Sequence, residues 1–340
     1  MKGMSRRDRV LAALAREPVD RVPYAVWRHF PQVDRNPAGL AQATLRFQER
    51  YGSDFIKITP AGGYAVEAWG CVEGTDVRPD GHRPCASCAV TSAGDWRKIR
   101  PLDPASAPGY SMHVETIIRM GFDRRIGDAP VVPTLFSPLS LARKLSGDRL
   151  RVDLKENPGD VRDALEAITD TLIRFAALAL DEGMTGIFYS IQAASRKMHS
   201  EAEYAEFGEP YDRRFLESIE GRSHLTIIHC HGEDLMFERL ARLPGHAWNW
   251  DDRLTPPALG QAKTQVPGAV IGGLNQWATL RDGTPEASAG EATDAVRQTD
   301  GRGLIVGPGC VLPMNTPDAN VAAVVRALGG PLKPVPGVAV

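Results

Sequence analysis

The chain of 340 residues contains no apolar run close to the roughly 20 residues that a membrane helix requires. The apolar stretch after the charged N-terminal residues, Val10–Ala15, is too short for the core of a signal peptide, so we expect a cytoplasmic protein. The net charge of −2 provides no electrostatic attraction to nucleic acid or to an anionic membrane. We therefore expect neither nucleic acid nor a membrane as a partner.

Cysteine is also sparse. Five cysteines, an odd number scattered over the chain, do not form a disulfide framework. Cys85 and Cys88 form a lone C-x-x-C motif without a second pair. They could belong to a redox or metal site, but a polar hairpin that happens to carry two cysteines is the favoured interpretation.

Short β-like runs alternate with helical patterns along most of the chain. Between Val161 and Leu180, for example, apolar residues recur at steps of three and four and predict one amphipathic helix. Eight strands alternating with helices is the count of a TIM-like (β/α)8 barrel. A doubly wound open sheet is the alternative, but no G-x-G-x-x-G motif follows the first strand. The predicted strands are Tyr24–Trp27, Phe55–Thr59, Val131–Phe136, Gly186–Tyr189, Leu225–His229, Ala247–Trp250, Ala269–Ile271 and Leu304–Val306.

The alternation is interrupted after the second predicted strand, at about residues 62–108. This region is rich in glycine, proline and polar residues, and Val72–Val77 with Cys88–Thr91 could form a hairpin. We therefore expect one barrel domain over residues 1–340 with an inserted hairpin region.

Soft metal ligands follow two of the predicted strands. His229 and His231 end the run Leu225–Ile228, and Cys310 follows Leu304–Val306. Because side chains alternate along a strand, the two histidines share one face and Cys230 points away. Three nitrogen and sulfur ligands with an open fourth position are typical of a catalytic zinc site.

Two other interpretations of these ligands remain open. A bulge at the end of the strand would make Cys230 a ligand instead of His231. The histidines could also be buried, hydrogen-bonded strand residues without a metal.

Residues that directly follow barrel strands are candidates for substrate binding, because active sites of such barrels lie at the carboxyl ends of the strands. Asp251 could instead orient a metal-bound histidine, and Arg28 could bind a carboxylate or form a surface ion pair. Barrel packing or loop capping is the alternative for the others. The candidates are Arg28, Phe136, Tyr189, Gln192, Asp251 and Asn275.

Several segments spread over nearly the whole chain form an ordered set of motifs. They are Arg6–Leu14 with Glu17–Pro23, Phe136–Ala142, Gly186–Tyr189 with Pro210-Tyr211, and Gly307–Cys310 with Thr316–Val321. In this order they resemble the uroporphyrinogen decarboxylase superfamily. The resemblance implies a distorted (β/α)8 barrel, in agreement with the strand count.

The superfamily has two main branches. Porphyrinogen decarboxylases use no metal and have R-Q-A-G-R after the first strand, where this chain has Arg28-His29-Phe30-Pro31-Gln32. They also use an aspartate after the second strand, and alignment on Glu67–Gly70 places Ala61 there. Only one of the two arginines is present and the aspartate is missing, which argues against porphyrinogen decarboxylation.

The other branch consists of zinc-dependent methyltransferases that transfer methyl groups between corrinoids and thiols such as coenzyme M. Their signature is H-x-C-G after the fifth strand and a cysteine after the eighth, and this chain is similar at His229, His231, Gly232 and Cys310. The resemblance implies that His229, His231 and Cys310 hold zinc and are catalytic. Histidine in place of cysteine makes the set of metal ligands chemically harder, that is less polarisable, and less electron-rich.

This resemblance implies a corrinoid (cobalamin) as methyl carrier, either free or on a separate partner protein, and a small-molecule substrate. Methylated thiols, methylamines, methanol-derived corrinoids and aryl methyl ethers all remain possible, in either direction of transfer. The alternatives are a decarboxylase-type lyase of tetrapyrrole metabolism and a barrel that binds a tetrapyrrole or corrinoid without catalysis. Decarboxylases of the family are often dimers, so a homodimer is a further expectation.

Overall fold

The computed structural model describes residues 3–121 and 123–334. No helix in these residues is both long and apolar enough to cross a bilayer. The strands are β1 (Ile56–Ile58), β2 (Val72–Glu73), β3 (Cys85–Ser87), β4 (Val131–Phe136), β5 (Gly186–Ile191), β6 (Leu225–Cys230), β7 (Ala247–Asn249), β8 (Ala269–Leu274) and β9 (Leu304–Pro308). The helices are α1 (Arg6–Leu14), α2 (Pro37–Tyr51), α3 (Tyr64–Glu67), α4 (Tyr110–Gly121), α5 (Pro138–Ser146), α6 (Arg149–Glu156), α7 (Pro158–Asp181), α8 (Glu201–Phe207), α9 (Glu209–Ser218), α10 (Phe237–Leu240), α11 (Leu259–Gln265), α12 (Pro285–Thr299) and α13 (Asp318–Ala327).

Seven parallel strands form one curled sheet in the order β1-β4-β5-β6-β7-β8-β9. Helices follow the strands and cover the outer face, so every strand of this sheet is buried along its length. The (β/α)8 architecture predicted from the alternating pattern is confirmed, and seven of the eight predicted strands are present.

The segment predicted as the first strand, Tyr24–Trp27, is the exception. It lies between the two edge strands and closes the barrel, but it forms only a single parallel bridge, from Tyr24 to Val306. The backbone amide of Tyr24 donates to the carboxylate of Asp54, and that of Val26 donates to the hydroxyl of Ser53. Because these side chains take the donors that a regular ladder with β1 would use, the segment is extended but is not a full strand.

The barrel has two hydrophobic clusters. One lies between the sheet and the surrounding helices. The other fills the barrel interior with inward-facing side chains such as Phe188, Ile227 and Ile271, and α1 contributes Val10 and Ala13 to it. Side chains therefore fill the barrel interior near the amino ends of the strands, and the open space lies toward their carboxyl ends.

The region after β1 contains α3, an antiparallel pair of β2 with β3, and a short 3-10 helix at Ala93–Lys98. The second strand of the pair comes three residues earlier than predicted, and Cys88–Thr91 is not a strand. The Sγ atoms of Cys85 and Cys88 lie 3.7 Å apart. Buried residues of this region, such as Val66 and Trp96, belong to the cluster that packs beneath the barrel helices.

Candidate metal centre

His229, His231 and Cys310 meet at the carboxyl ends of β6 and β9. Their ligand atoms all lie within 4.8 Å of one another. The Sγ atom of Cys310 is 3.9 Å from Nε2 of His229 and 3.8 Å from Nδ1 of His231. His229 is buried, whereas His231 is exposed toward the space above the barrel.

This donor set fits a zinc ion. Tetrahedral coordination at ordinary Zn–N and Zn–S bond lengths places a nitrogen and a sulfur ligand about 3.6 Å apart. The two measured separations exceed that value only slightly, so small side-chain movements suffice to close the site. Two imidazoles and one thiolate leave a fourth position for a substrate, as in catalytic rather than structural zinc sites.

The electrostatics of the cluster favour the ligand forms of Cys310 and His229, whereas for His231 the contact with the Cys310 sulfur outweighs burial and raises the pKa. Burial acts to raise the pKa of the Cys310 thiol, but the contacts with His229 and His231 outweigh it and hold that pKa well below its usual value. Burial lowers the pKa of His229, which keeps its imidazole neutral. A neutral imidazole and a thiolate are the forms that bind metal.

His229 is held in place by Asn249 on the neighbouring strand. Nδ1 of His229 donates to Oδ1 of Asn249 at 2.6 Å, which directs Nε2 toward Cys310. The amide nitrogen of Asn249 in turn donates to the carbonyls of Ile271 and Pro308, so both ends of this carboxamide are fixed. Asn249 therefore orients His229, a role for which Asp251 was a candidate.

We expect Asn249→Ala to weaken zinc binding about 10- to 100-fold, because hydrogen-bonded partners that orient a metal-bound histidine contribute that much. A competition titration against a chromophoric chelator measures this change. Asn320→Ala is the matched control, since it removes a buried carboxamide on α13 that likewise donates to two backbone carbonyls, those of Leu280 and Gly283, and it should leave zinc affinity unchanged. Zinc binding of wild-type strength in Asn249→Ala would contradict the orienting role.

Asp251 acts on the loop that carries Cys310. Its Oδ2 accepts from Nε2 of Gln276 at 2.8 Å, and Oε1 of Gln276 accepts from the backbone amide of Gly309 at 3.1 Å. A Cβ on Gly309 would lie 2.4 Å from the Cα of Asp251, so only glycine fits there. Asp251 and Gln276 thus hold the residue that precedes Cys310.

Two cavities reach the cluster. One of about 460 Å³ extends above the barrel interior and includes Phe136 and Gln192 in its wall. The other, of about 810 Å³, opens beside Asp251 and Trp277. The two share Asp80, His231, Gly232, Cys310 and Val311 as lining residues, so they adjoin at the cluster.

Three predicted substrate contacts do not face either of these cavities. Tyr189 is fully buried on the outer face of β5, where its hydroxyl donates to Asp212. The guanidinium of Arg28 turns away and donates to the carbonyl of Met314. The side-chain oxygen of Asn275 accepts from two amides of its own loop, at Trp277 and Ala278. The predictions that Tyr189, Arg28 and Asn275 contact substrate are therefore wrong, because none of these side chains lines a cavity that reaches the cluster.

Cys230 is buried on the opposite face of β6 from the cluster, with its sulfur near the carbonyl of Ile228. The strand keeps its parallel register to its end, with Ile191 paired with Cys230, so no bulge brings this thiol to the site. The placement of Cys230 thus follows the alternation predicted from the sequence.

Sequence reasoning missed Asn249 and Lys57. Each is a single polar residue between apolar neighbours of a strand, in Trp248-Asn249-Trp250 and in Ile56-Lys57-Ile58. A polar residue buried in such a position needs a partner inside the protein or in a ligand. A polar residue within an apolar strand can be recognised in the sequence, but the sequence does not show which group binds it.

The family model described as "Uroporphyrinogen decarboxylase (URO-D)" matches residues 5–330. The chain belongs to this family. Its fold agrees with a solved methyltransferase from Methanosarcina mazei, which superposes with a TM-score of 0.79 at 21% identity over 96% of this chain and 98% of the other.

The similar sequences in this family are named for two different activities. A methylcobamide:CoM methyltransferase, MtbA, from Methanosarcina acetivorans is 22% identical over 94% of this chain and 96% of its own. A uroporphyrinogen decarboxylase from Anaeromyxobacter dehalogenans is 25% identical over 94% of this chain and 97% of its own. Identities so similar do not distinguish the two activities, and the residues of the site must do so.

Proposed function

We propose that the protein is a zinc-dependent methyltransferase that moves a methyl group between a methylated substrate or methylcorrinoid and a thiol or corrinoid acceptor. The convergence of His229, His231 and Cys310 to within 4.8 Å carries this proposal. The methyltransferase names of several relatives support it.

Zinc held by these three residues would lower the pKa of a bound thiol so that it reacts as a thiolate at neutral pH. Asn249 orients His229, while Asp251 and Gln276 hold the loop of Cys310. Histidine as second ligand leaves one negative charge in the donor set where two cysteines would give two. The site therefore favours a thiol of low pKa and moderate nucleophilicity.

Methyl transfer by direct displacement needs donor and acceptor on opposite sides of the methyl carbon. The cluster is reached from two cavities, which allows a small molecule to occupy one while a corrinoid approaches through the other. This arrangement supports a reaction between two separate molecules, with the corrinoid free or on a partner protein. A homodimer remains a prediction, and light scattering at micromolar concentration tests it.

The decarboxylase alternative has less support from the residues. Ala61 stands where a carboxylate is expected, and it is buried. The one matching arginine, Arg28, faces away from the cavity that would hold the substrate carboxylates. A barrel that binds a corrinoid without catalysis would not require three metal-binding side chains to converge.

Elemental analysis and a methyl-transfer assay test the proposal together. We expect about one zinc per chain, and zinc-dependent loss of methylcobalamin absorbance in the presence of 2-mercaptoethanesulfonate or another small thiol. Chelation should stop the reaction and added zinc should restore it. Absence of zinc in protein purified without chelators, or formation of coproporphyrinogen from uroporphyrinogen, would overturn the proposal.

A further inference from the structure

Cys85 and Cys88 bring two thiols into contact at the surface of the region that follows β1. Both are free cysteines, Cys85 exposed and Cys88 half-buried. Their Sγ atoms lie 3.7 Å apart. Because the S–S bond of a disulfide is about 2.05 Å long, the two sulfurs need to approach by only about 1.7 Å to be joined.

A β-bulge in β3 explains why these two side chains meet. In a regular strand, residues i and i+3 point to opposite faces. Two neighbouring residues of β2 pair with Cys85 and Ser87, so Ala86 is an extra residue between two successive pairs. One extra residue shifts the alternation by one position, which lets Cys85 and Cys88 lie on the same face. The contact between the two thiols therefore has its origin in the backbone.

The chain next to Cys88 is fixed against α5. The backbone amide of Val90 donates to the carbonyl of Leu145 at 2.9 Å. A Cβ on Gly147 would lie 3.7 Å from Sγ of Cys88, so this sulfur packs against the C-terminal end of α5. Since β2 holds the other end of the motif by strand pairing, the two sulfurs are positioned from both sides.

Cys71, the third cysteine of this region, is not suited to the same chemistry. It is buried, its Sγ accepts from the backbone amide of Ala89 at 3.3 Å, and it lies 3.6 Å from the carbonyl oxygen of Lys144. Burial raises the pKa of Cys71 to about 11, so its thiol stays protonated at neutral pH. A protonated, enclosed thiol is inert toward disulfides.

The pair also lacks the additional ligands that a metal site needs. In the part of the chain that the structure describes, His229, His231 and Cys310 are the one group of three or more potential metal ligands that converge within 4.8 Å. Metal sites in proteins use three or four protein ligands. Two thiols in contact without further ligands are instead the arrangement of a redox pair.

Access distinguishes the two thiols. Cys85 lines a cavity of about 660 Å³, which is large enough for a small organic molecule, and Cys88 does not. Burial against the neighbouring chain raises the pKa of Cys88 to about 11. Because an attacking thiol must be both accessible and deprotonated, Cys85 is the attacking thiol and Cys88 the resolving one.

We propose that Cys85 and Cys88 form a redox site, which low-molecular-weight disulfides oxidise reversibly to an intramolecular disulfide. The thiolate of Cys85 bonds to one sulfur of the small disulfide, whose S–S bond breaks and releases one thiolate. Cys88 then gives its proton to solvent and attacks the sulfur of Cys85, which releases the second thiolate. The pair loses two electrons and two protons, and the small disulfide is reduced to two thiols. This inference does not depend on the proposed function.

Equilibration with mixtures of glutathione and glutathione disulfide, followed by acid quenching, alkylation and mass spectrometry, tests the pair. Cleavage after Glu73 and Glu115 releases residues 74–115, whose only cysteines are Cys85 and Cys88. We expect this peptide to become about 2 Da lighter and resistant to alkylation under oxidising mixtures, and to regain two alkylation sites after dithiothreitol. Two alkylated cysteines at every ratio of the two glutathione forms, or a disulfide from either of them to another cysteine, would overturn the proposal.

Single serine variants test the two roles. Cys88→Ser should trap the mixed disulfide, seen as one glutathionyl group on Cys85, in at least about ten times the amount found in wild type. Cys85→Ser should form such an adduct at least about tenfold more slowly than Cys88→Ser, because the remaining thiol is half-buried and mostly protonated. Cys71→Ser is the matched control, since it removes the neighbouring buried thiol and should still form the disulfide. Equal rates in the two variants, or a stable mixed disulfide in wild type, speak against a redox pair and would refute it.

Discussion

Cys310→Ala is expected to reduce bound zinc from about one ion per chain to less than about a tenth, and methyl transfer by at least about a thousandfold. Cys310 is the only sulfur in the cluster and its contacts with both histidines hold the donor set together. Removing it leaves two imidazoles, too few to retain zinc in a catalytic geometry. Elemental analysis after gel filtration, and the methylcobalamin assay, measure the two effects.

Cys230→Ala is the matched control for this experiment. It removes a thiol that lies between the two histidines in sequence but on the opposite face of β6. Zinc content should stay at about one ion per chain, with at most a small loss of stability from the deleted buried sulfur. Loss of zinc in Cys230→Ala with retention in Cys310→Ala would show that the ligand set is wrong.

Asp54→Ala is expected to destabilise the protein by about 3–5 kcal/mol, since removing one partner of a buried ion pair leaves uncompensated charge. The Asp54 side chain is fully buried and binds Arg9 and Arg21, each at 2.7 Å. It also accepts from the backbone amide of Tyr24, in the segment that closes the barrel. The variant leaves Arg21 without its carboxylate partner, while Arg9 keeps only Asp20, and it weakens closure of the barrel. Urea denaturation followed by circular dichroism measures the loss.

Asp128→Ala offers the comparison with a surface pair. Asp128 is 44% exposed, lies 3.9 Å from the guanidinium of Arg6 and accepts from the backbone amide of Arg6 at 2.7 Å, at the start of α1. An exposed ion pair contributes about 0–1 kcal/mol and a hydrogen bond at a helix N-terminus about 1 kcal/mol, so this variant should lose clearly less stability than Asp54→Ala. Equal unfolding midpoints for the Asp54 and Asp128 variants would show that the buried network does not stabilise barrel closure.

The convergence of His229, His231 and Cys310 could be predicted because it depends on local geometry. Alternation along a strand places His229 and His231 on one face whatever the rest of the fold does. The carboxyl ends of parallel strands meet at one end of a barrel, which brings Cys310 to the same place. Both steps require only strand positions, and these follow from apolar runs in the sequence.

The same pattern could not show which face of a strand points inward. In a parallel barrel both faces are buried, so both sets of side chains are apolar and the sequence looks the same from either side. Tyr189 and Phe188 illustrate this ambiguity, since Phe188 faces the cavity and Tyr189 faces the helices. The prediction that Tyr189 contacts substrate failed for this reason.

By itself, the sequence determined the alternation of strands and helices, the lack of an apolar run long enough for a membrane helix and the common face of the two histidines. Only the tertiary structure decided the partners: Asn249 rather than Asp251 for His229, Asp54 for barrel closure, and the hydroxyl of Thr59 for the ammonium of Lys57. Periodicity is a property of neighbouring residues along the chain, whereas a polar partner comes from a different strand. Its identity depends on how strands pack and in which register, and the sequence pattern does not contain that information.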